Sequence, residues 1–180
     1  MLSDRLVDAA LEAGAAKAAV IDTGDVALSA SFRDVCMKNS CGNYGRNWSC
    51  PPETGGIEEL MDKVRSFPRA LIYQTVGQLE DSFDFEGMLA AGAVLSDVGQ
   101  RLETSAKGLL TREHLHLSGS CRLCDKCARL TGEPCRHPDR MLRSISGYGI
   151  DVAATCEKTP LRYNNGPDTV TYFGILLFSE

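Results

Sequence analysis

Thr169-Val-Thr-Tyr-Phe-Gly-Ile-Leu-Leu-Phe178 is the most strongly β-prone stretch of the chain, a run of β-branched, aromatic and aliphatic side chains broken by a single glycine. The turn signal Asn164-Asn-Gly-Pro167 stands just before it. Ala70-Leu-Ile-Tyr-Gln-Thr-Val76 is a second, mostly apolar run that suits the middle of a sheet. Shorter strands are expected at Ala18-Ala-Val-Ile21, at the alternating His114-Leu-His-Leu117 and at Ile150-Asp-Val-Ala-Ala-Thr155. Helical spacing lies between them. Leu2, Leu6, Ala9, Ala10 and Ala13 predict a helix ended by Gly14, and Ile57, Leu60, Met61 and Val64 predict another stopped by Pro68. Phe85, Met88, Leu95, Val98, Leu102, Ala106 and Leu109 mark one face of a long helix from about Phe85 to Glu113. Gly92 and Gly99 on it mean either a close neighbour or a break. Pro138 predicts a further helix over Asp139 to Ile145, ended by Gly147. Helices and strands alternate loosely. The expected fold is therefore α/β or α+β: a single domain, residues 1–180, with a central mixed β-sheet, flanking helices and two cysteine-rich loops (36–52 and 121–138) at one end.

At 180 residues the chain can bury a substantial core without cross-links. Its net charge of -5 gives no general reason to expect nucleic acid as a partner. No stretch approaches the roughly 20 apolar residues that span a bilayer, and Met1-Leu-Ser-Asp-Arg5 lacks the layout of a secretion signal. The expectation is a cytoplasmic protein with no membrane partner, in which eight cysteines serve as metal ligands or redox thiols before disulfides.

Cys121-Arg-Leu-Cys124-Asp-Lys-Cys127, closed by Cys135-Arg-His-Pro138, places four thiols within fifteen positions. Two residues separate each of the first three, the spacing with which a cubane iron–sulfur cluster takes successive thiolates. Structural zinc usually takes two separate Cys-x2-Cys knuckles, which three equally spaced cysteines fit poorly. A [4Fe-4S] cluster is the expected cofactor and zinc the alternative. Seven residues separate Cys127 from Cys135, where the bacterial ferredoxin run has three. A loop containing Thr131-Gly-Glu-Pro134 is free enough to fold back and offer Cys135 to the same centre.

The second group is Cys36-Met-Lys-Asn-Ser-Cys41-Gly-Asn-Tyr-Gly-Arg-Asn-Trp-Ser-Cys50-Pro-Pro52. Gly42 and Gly45 supply the backbone latitude to gather three thiols, and Tyr44, Trp48 and the prolines supply apolar bulk that would exclude water. The sequence here resembles a prokaryotic family described as predicted metal-binding proteins, the domain of unknown function 2284. The resemblance rests on Cys41 to Pro52, on the Cys121–Pro138 motif, on Ser146-Gly-Tyr-Gly-Ile-Asp-Val152 and on Thr171-Tyr-Phe-Gly-Ile-Leu-Leu177. It covers nearly the whole chain and implies metal or iron–sulfur binding through these cysteines; it lends no reaction. Relatives are expected to carry Arg-Pro-Ser-Met-Glu-Ala where this chain has Leu142-Arg-Ser-Ile-Ser-Gly147, a departure that removes the carboxylate.

If Cys121, Cys124, Cys127 and Cys135 complete one cluster, Cys36, Cys41 and Cys50 form a set of three, with room for a second cluster. A cubane on three cysteines keeps one iron open to water or a small-molecule ligand, by the logic of an open catalytic zinc site. Cys156 either completes that set or is a small buried hydrophobe. His137 is either an extra ligand or a surface histidine; His114 and His116 share one side of a strand but lack a nearby third donor. From Cys121 to Arg143 six basic residues face three acidic ones, a collar suited to a negative cluster or to an acidic redox partner protein. The leading expectation is an iron–sulfur protein in redox or electron-transfer work. An enzyme using an open-site cluster and a zinc-stabilised interaction module are the alternatives. No phosphate loop, dinucleotide fingerprint or Ser-His-Asp pattern is present.

Overall fold

The computed structural model describes residues 1–179. Its helices are α1 (Leu2–Glu12), α2 (Phe32–Met37), α3 (Ile57–Arg65), α4 (Phe85–Leu109) and α5 (Val152–Cys156). Its strands are β1 (Lys17–Asp22), β2 (Arg69–Gln78), β3 (His114–Ser118), β4 (Arg143–Ser144) and β5 (Thr169–Phe178), in one sheet of order β1-β2-β5-β3-β4. Every neighbouring pair is antiparallel except β3 and β4, so the sheet is mixed and the fold is α+β. The β-prone run 169–178 is the middle strand.

The continuous apolar character of β2 and β5 follows from burial on both faces, since successive side chains of a strand point oppositely. Leu71 and Tyr73 of β2 and Leu176 and Phe178 of β5 pack against α1 and α4. Ile72, Ile175 and Leu177 pack the other way, against Leu60 and Val64 of α3 and against Ile145, Tyr148, Ile150 and Cys156. A close approach fixes the centre: a Cβ on Gly174 would lie 2.1 Å from the Tyr73 hydroxyl and ring. Glycine is what lets the fully buried tyrosine cross its neighbouring strand.

α4 runs unbroken through Gly92 and Gly99. A Cβ on Gly99 would meet Leu142 at 2.9 Å and the Tyr73 hydroxyl at 3.2 Å, so this glycine serves close approach. Three local expectations fail. Asp139–Ile145 is no helix: after a single turn in which the His137 carbonyl accepts from the N–H of Arg140 and Met141, the chain is drawn into β4, where Ser144 N–H donates to Ser49 O at 3.0 Å. Sheet pairing wins over a favourable helix start. Ile150–Thr155 is not a strand. Ile150 makes an isolated bridge to Leu28, and the Asp151 carboxylate then accepts from Ala154 N–H at 3.0 Å and starts α5. The irregular segment between Asp22 and Gly56 contains α2, which the sequence did not suggest.

β3 is the link to the cysteines. Its ladder to β5 stops at Leu117–Ile175, and the chain leaves through Gly119 and Ser120 into the four-cysteine loop before returning as β4. Both cysteine loops therefore gather at the end of the sheet formed by the last residues of β3 and β4 and the first of β5.

Candidate metal centre

The eight cysteines are all free thiols. Cys121, Cys124, Cys127 and Cys135 are half-buried and line one pocket of about 440 Å³. The fold-back of Cys135 has visible causes. Gly132 takes a left-handed turn (φ 73°), the Trp48 indole N–H donates to Glu133 O at 3.0 Å, and Arg136 donates to Lys126 O at 2.9 Å. Burial pushes the Cys121 thiol above its ordinary value, a hydrogen bond from Leu123 N–H opposes this, and the nearby Cys135, Cys124 and Cys127 push it further up. The Cys121 sulfur thus feels the other three. Lys126, Arg122, Arg136 and His137 share the pocket wall, and the Arg129 guanidinium lies 5.6 Å over the Trp48 ring while pairing with Glu53.

Cys36, Cys41 and Cys50 line a second pocket, of about 540 Å³. Cys36 rides on α2. Left-handed Asn39 (φ 54°) closes the following turn by accepting Tyr44 N–H on its side-chain oxygen at 2.9 Å, and Gly42 and Gly45 (φ 74° and 67°) reverse the chain. Gly45 N–H then donates to Pro51 O at 2.9 Å, which draws Cys50 back beneath the loop. Burial pushes the Cys50 thiol up to about 11; a hydrogen bond with Ser49 lowers it, and Cys41, Cys36 and Cys121 raise it again. The Cys36 thiol is raised by burial and by Cys41, against the pull of Arg33.

Cys121 belongs to the other group yet raises the Cys50 thiol, and the connection between the two was not legible in the sequence. Asn47 and Ser49 are buried between the loops. The Ser49 hydroxyl accepts from Cys121 N–H at 2.9 Å, donates to the Asn47 side-chain oxygen at 3.0 Å, and stands 3.6 Å from Cys50 Sγ. Asn47 donates to Cys121 O at 3.0 Å. Two short polar side chains thereby pin the start of the four-cysteine loop to the end of the three-cysteine loop. Nothing in the types Asn and Ser, both common in loops, marked them beforehand.

The remaining candidates fall outside. Cys156 is 5 % exposed in the apolar layer beside Ile150 and Leu161, and its thiol is raised by burial alone, with no contribution from another sulfur. His114 and His116 both turn to one carboxylate: Glu103 accepts from them at 3.2 and 3.0 Å. Burial by itself would raise Glu103, but these hydrogen bonds and the histidine charges outweigh it and hold the carboxyl well below the usual range.

Four thiols on one pocket and three on the next make a soft, sulfur-rich donor set that suits zinc, copper(I) or iron–sulfur centres and not hard cations. Among the described residues no three His, Cys, Asp or Glu side chains converge into a ready-made site for one ion; the thiols stand around open volume. Among the described residues no helix is long and apolar enough to cross a membrane. No curated protein and no solved structure matches the chain. Residues 19–178 match the family of predicted metal-binding proteins, domain of unknown function 2284, and the chain belongs to that family.

Proposed function

We propose that the protein is an iron–sulfur protein in which Cys121, Cys124, Cys127 and Cys135 hold a [4Fe-4S] cluster that carries single electrons. The observation that carries this reading is four half-buried thiols lining one pocket, three of them at the two-residue intervals with which a cubane takes successive thiolates and which a zinc knuckle pair does not use. When bound, such a cluster supplies one-electron storage. The residues of this chain support that work in three ways. Trp48 covers one side of the pocket against water, and Asn47 holds the loop's first backbone carbonyl. Lys126, Arg122 and Arg136 offset the negative charge of four thiolates and favour the reduced state. The half-exposed sulfurs and the exposed Lys126, Arg136 and Arg140 suit brief contact with an acidic redox partner. Cys36, Cys41 and Cys50 are proposed to hold a second metal centre with one open coordination position, since the three thiols line a pocket in contact with solvent.

Iron, acid-labile sulfide and zinc counted in oxygen-free protein test the assignment. We expect about four iron and four sulfide atoms per chain for the first site, a brown colour lost in Cys124→Ala, and a reversible one-electron signal. Colourless protein with stoichiometric zinc overturns the reading. Iron-loaded protein that accepts no electron overturns the carrier role alone.

A further inference from the structure

The first turns of α4 present an apolar outer face that nothing in the chain covers. Residues four apart on a helix stand in rows, and two neighbouring rows here, Phe85-Leu89-Ala93 and Glu86-Ala90-Val94, are exposed throughout. Leu89 is 43 % exposed, Val94 50 % and Phe85 68 %, and Phe83, in the loop just before the helix, is 89 % exposed. Single apolar side chains on a surface need no account. A group that joins two phenylalanines, a leucine and a valine marks an interaction surface.

The loop that carries Phe83 is ordered by contacts that do nothing to bury the ring. The Asp84 carboxylate accepts Glu80 N–H at 3.0 Å and Gly87 N–H at 2.8 Å, and the Asp81 carboxylate accepts Phe83 N–H at 2.7 Å. A Cβ on Gly87 would run into the Asp84 carboxylate, so glycine there admits the cap. Phe83 is thus held out to solvent on a fixed backbone, and a partner that covers it has little left to order.

The charges around the patch say which partner fits. Glu80, Asp81 and Glu86 stand exposed at its start. Its other flank is basic: the exposed Arg122 donates to Leu89 O at 3.3 Å, and its guanidinium lies 3.3 Å from where a Cβ on Gly92 would be. A face that is acidic on one side, apolar in the middle and basic on the other is its own complement under a two-fold rotation, and every ion pair it makes is made twice. A lipid surface fits poorly, since the acids would meet anionic headgroups.

We propose that the protein forms a two-fold dimer in which this face of α4 packs antiparallel against the same face of a second copy. Phe83, Phe85, Leu89 and Val94 form the centre, and Arg122 of each chain pairs with the acidic start, Glu80 and Glu86, of the other. The contact draws on no cysteine and on none of Lys126, Arg136 and Arg140, so it stands apart from the metal reading.

Sedimentation equilibrium of the protein as isolated, under argon and over a wide range of concentration, tests this. We expect a mass that rises from 19.5 kDa to twice that value and stops there. Phe83→Ser alters a ring that packs on almost nothing within the chain, so folding is spared, and it should weaken the dimer about tenfold or more. Arg122→Glu and the double variant Glu80→Lys, Glu86→Lys should each weaken it about tenfold by setting like charges together. Mixing these two variants should restore the dimer, because in the mixed pair each contact between position 122 and the acidic start again joins opposite charges. Should Arg122→Glu disturb the cysteine loop, seen as lost metal, the unaltered protein, Phe83→Ser and the lysine variant decide. A monomer at every concentration, growth beyond the dimer, a dimer unchanged in Phe83→Ser or in the lysine variant, or a mixture of well-folded variants no tighter than its components overturns the proposal.

Discussion

Ser49→Ala is the sharpest perturbation of the junction between the two cysteine loops. The Ser49 side chain is fully buried, and its hydroxyl is the acceptor for Cys121 N–H and a donor to Asn47. Deleting it leaves the Cys121 N–H without a partner, at a cost of roughly 1–3 kcal/mol, and removes one hydrogen bond to Asn47, about 1 kcal/mol more. Asn47 Oδ1 keeps the Ser49 backbone N–H at 3.0 Å, so the loss stops there, near 2–4 kcal/mol in all. Asn47→Ala removes both the Cys121 O contact and the acceptor of Ser49, and should cost at least as much. Because the two residues share partners, the double variant should be less destabilised than the sum of the singles by about 1 kcal/mol or more. Urea unfolding of the four proteins under argon measures this cycle, and metal per chain is counted on the same samples. We expect Ser49→Ala to lower the occupancy of both metal sites together, since one side chain anchors both loops. Additive single effects, or loss confined to one site, would refute the idea that Asn47 and Ser49 join the two centres.

Gly174→Ala should cost about 3 kcal/mol or more in urea unfolding, because its Cβ would lie 2.1 Å from the Tyr73 ring and neither residue has anywhere to move. Cys156→Ala should leave metal content unchanged and lower stability by only about 1 kcal/mol, because the thiol is a packing group; a lost metal ion in that variant contradicts its placement. Acid should destabilise the fold in two stages. Burial holds the His116 pKa below its usual value, so below about pH 6.5 the unfolded chain takes up a proton that the folded one refuses, and stability falls by up to about 1.4 kcal/mol per pH unit. Glu103 is held low as well, so a second loss begins below about pH 4.3, where the unfolded carboxylate is protonated first. Denaturation midpoints from pH 8 to 3 should show both stages, and Glu103→Gln should lose the second. Metal removal by a chelator should raise hydrogen exchange in residues 119–142 and β4 while β2 and β5, with apolar layers on both faces, stay protected.

The sheet was legible where burial and propensity agree. Runs 70–76 and 169–178 are strands because each lies between two apolar layers, and a continuous apolar run reports that directly. The long stripe of α4 was equally plain, although Phe85 at its start is 68 % exposed; period alone does not say where a helix leaves the core. Residues 139–155 defeated local reasoning, because a two-residue strand and a five-residue helix carry too few positions for a pattern. What decides them is a partner far away in sequence: Ser49 for β4, Leu28 for Ile150. The same holds at the metal centre. Spacing revealed which cysteines form groups, since ligand intervals are written along the chain. It could not reveal that the groups touch, because the contact is made by Asn47 and Ser49 across more than seventy positions.

The topology gives a reason for the cysteines to stand where they do. Parallel neighbours need a crossover, and in most sheets an α-helix makes it while packing back on the strands. β3 and β4 are this sheet's parallel pair, and their crossover, residues 119–142, holds only the short 3-10 turn Ala128–Thr131 as regular structure. Apart from Ala128 and Leu142, no side chain of that segment is buried, so an apolar face cannot be what orders it. Its organising contacts are polar: Asn47, Ser49, the Trp48 indole and Glu53 hold it from the first cysteine loop and the residue just after it, and Gln100 and Lys107 of α4 donate to the carbonyls of Arg140 and Asp139. Four thiols placed within such a crossover can do the work that a helix's apolar stripe does elsewhere, by binding a common centre that closes the segment on itself. This also places the centre at the end of the sheet, where the strands diverge and β5 has an open edge. A fold that replaces the crossover helix by a cysteine-rich loop brings, in the same step, a set of soft donors to the end of the sheet and leaves the edge of β5 open beside them.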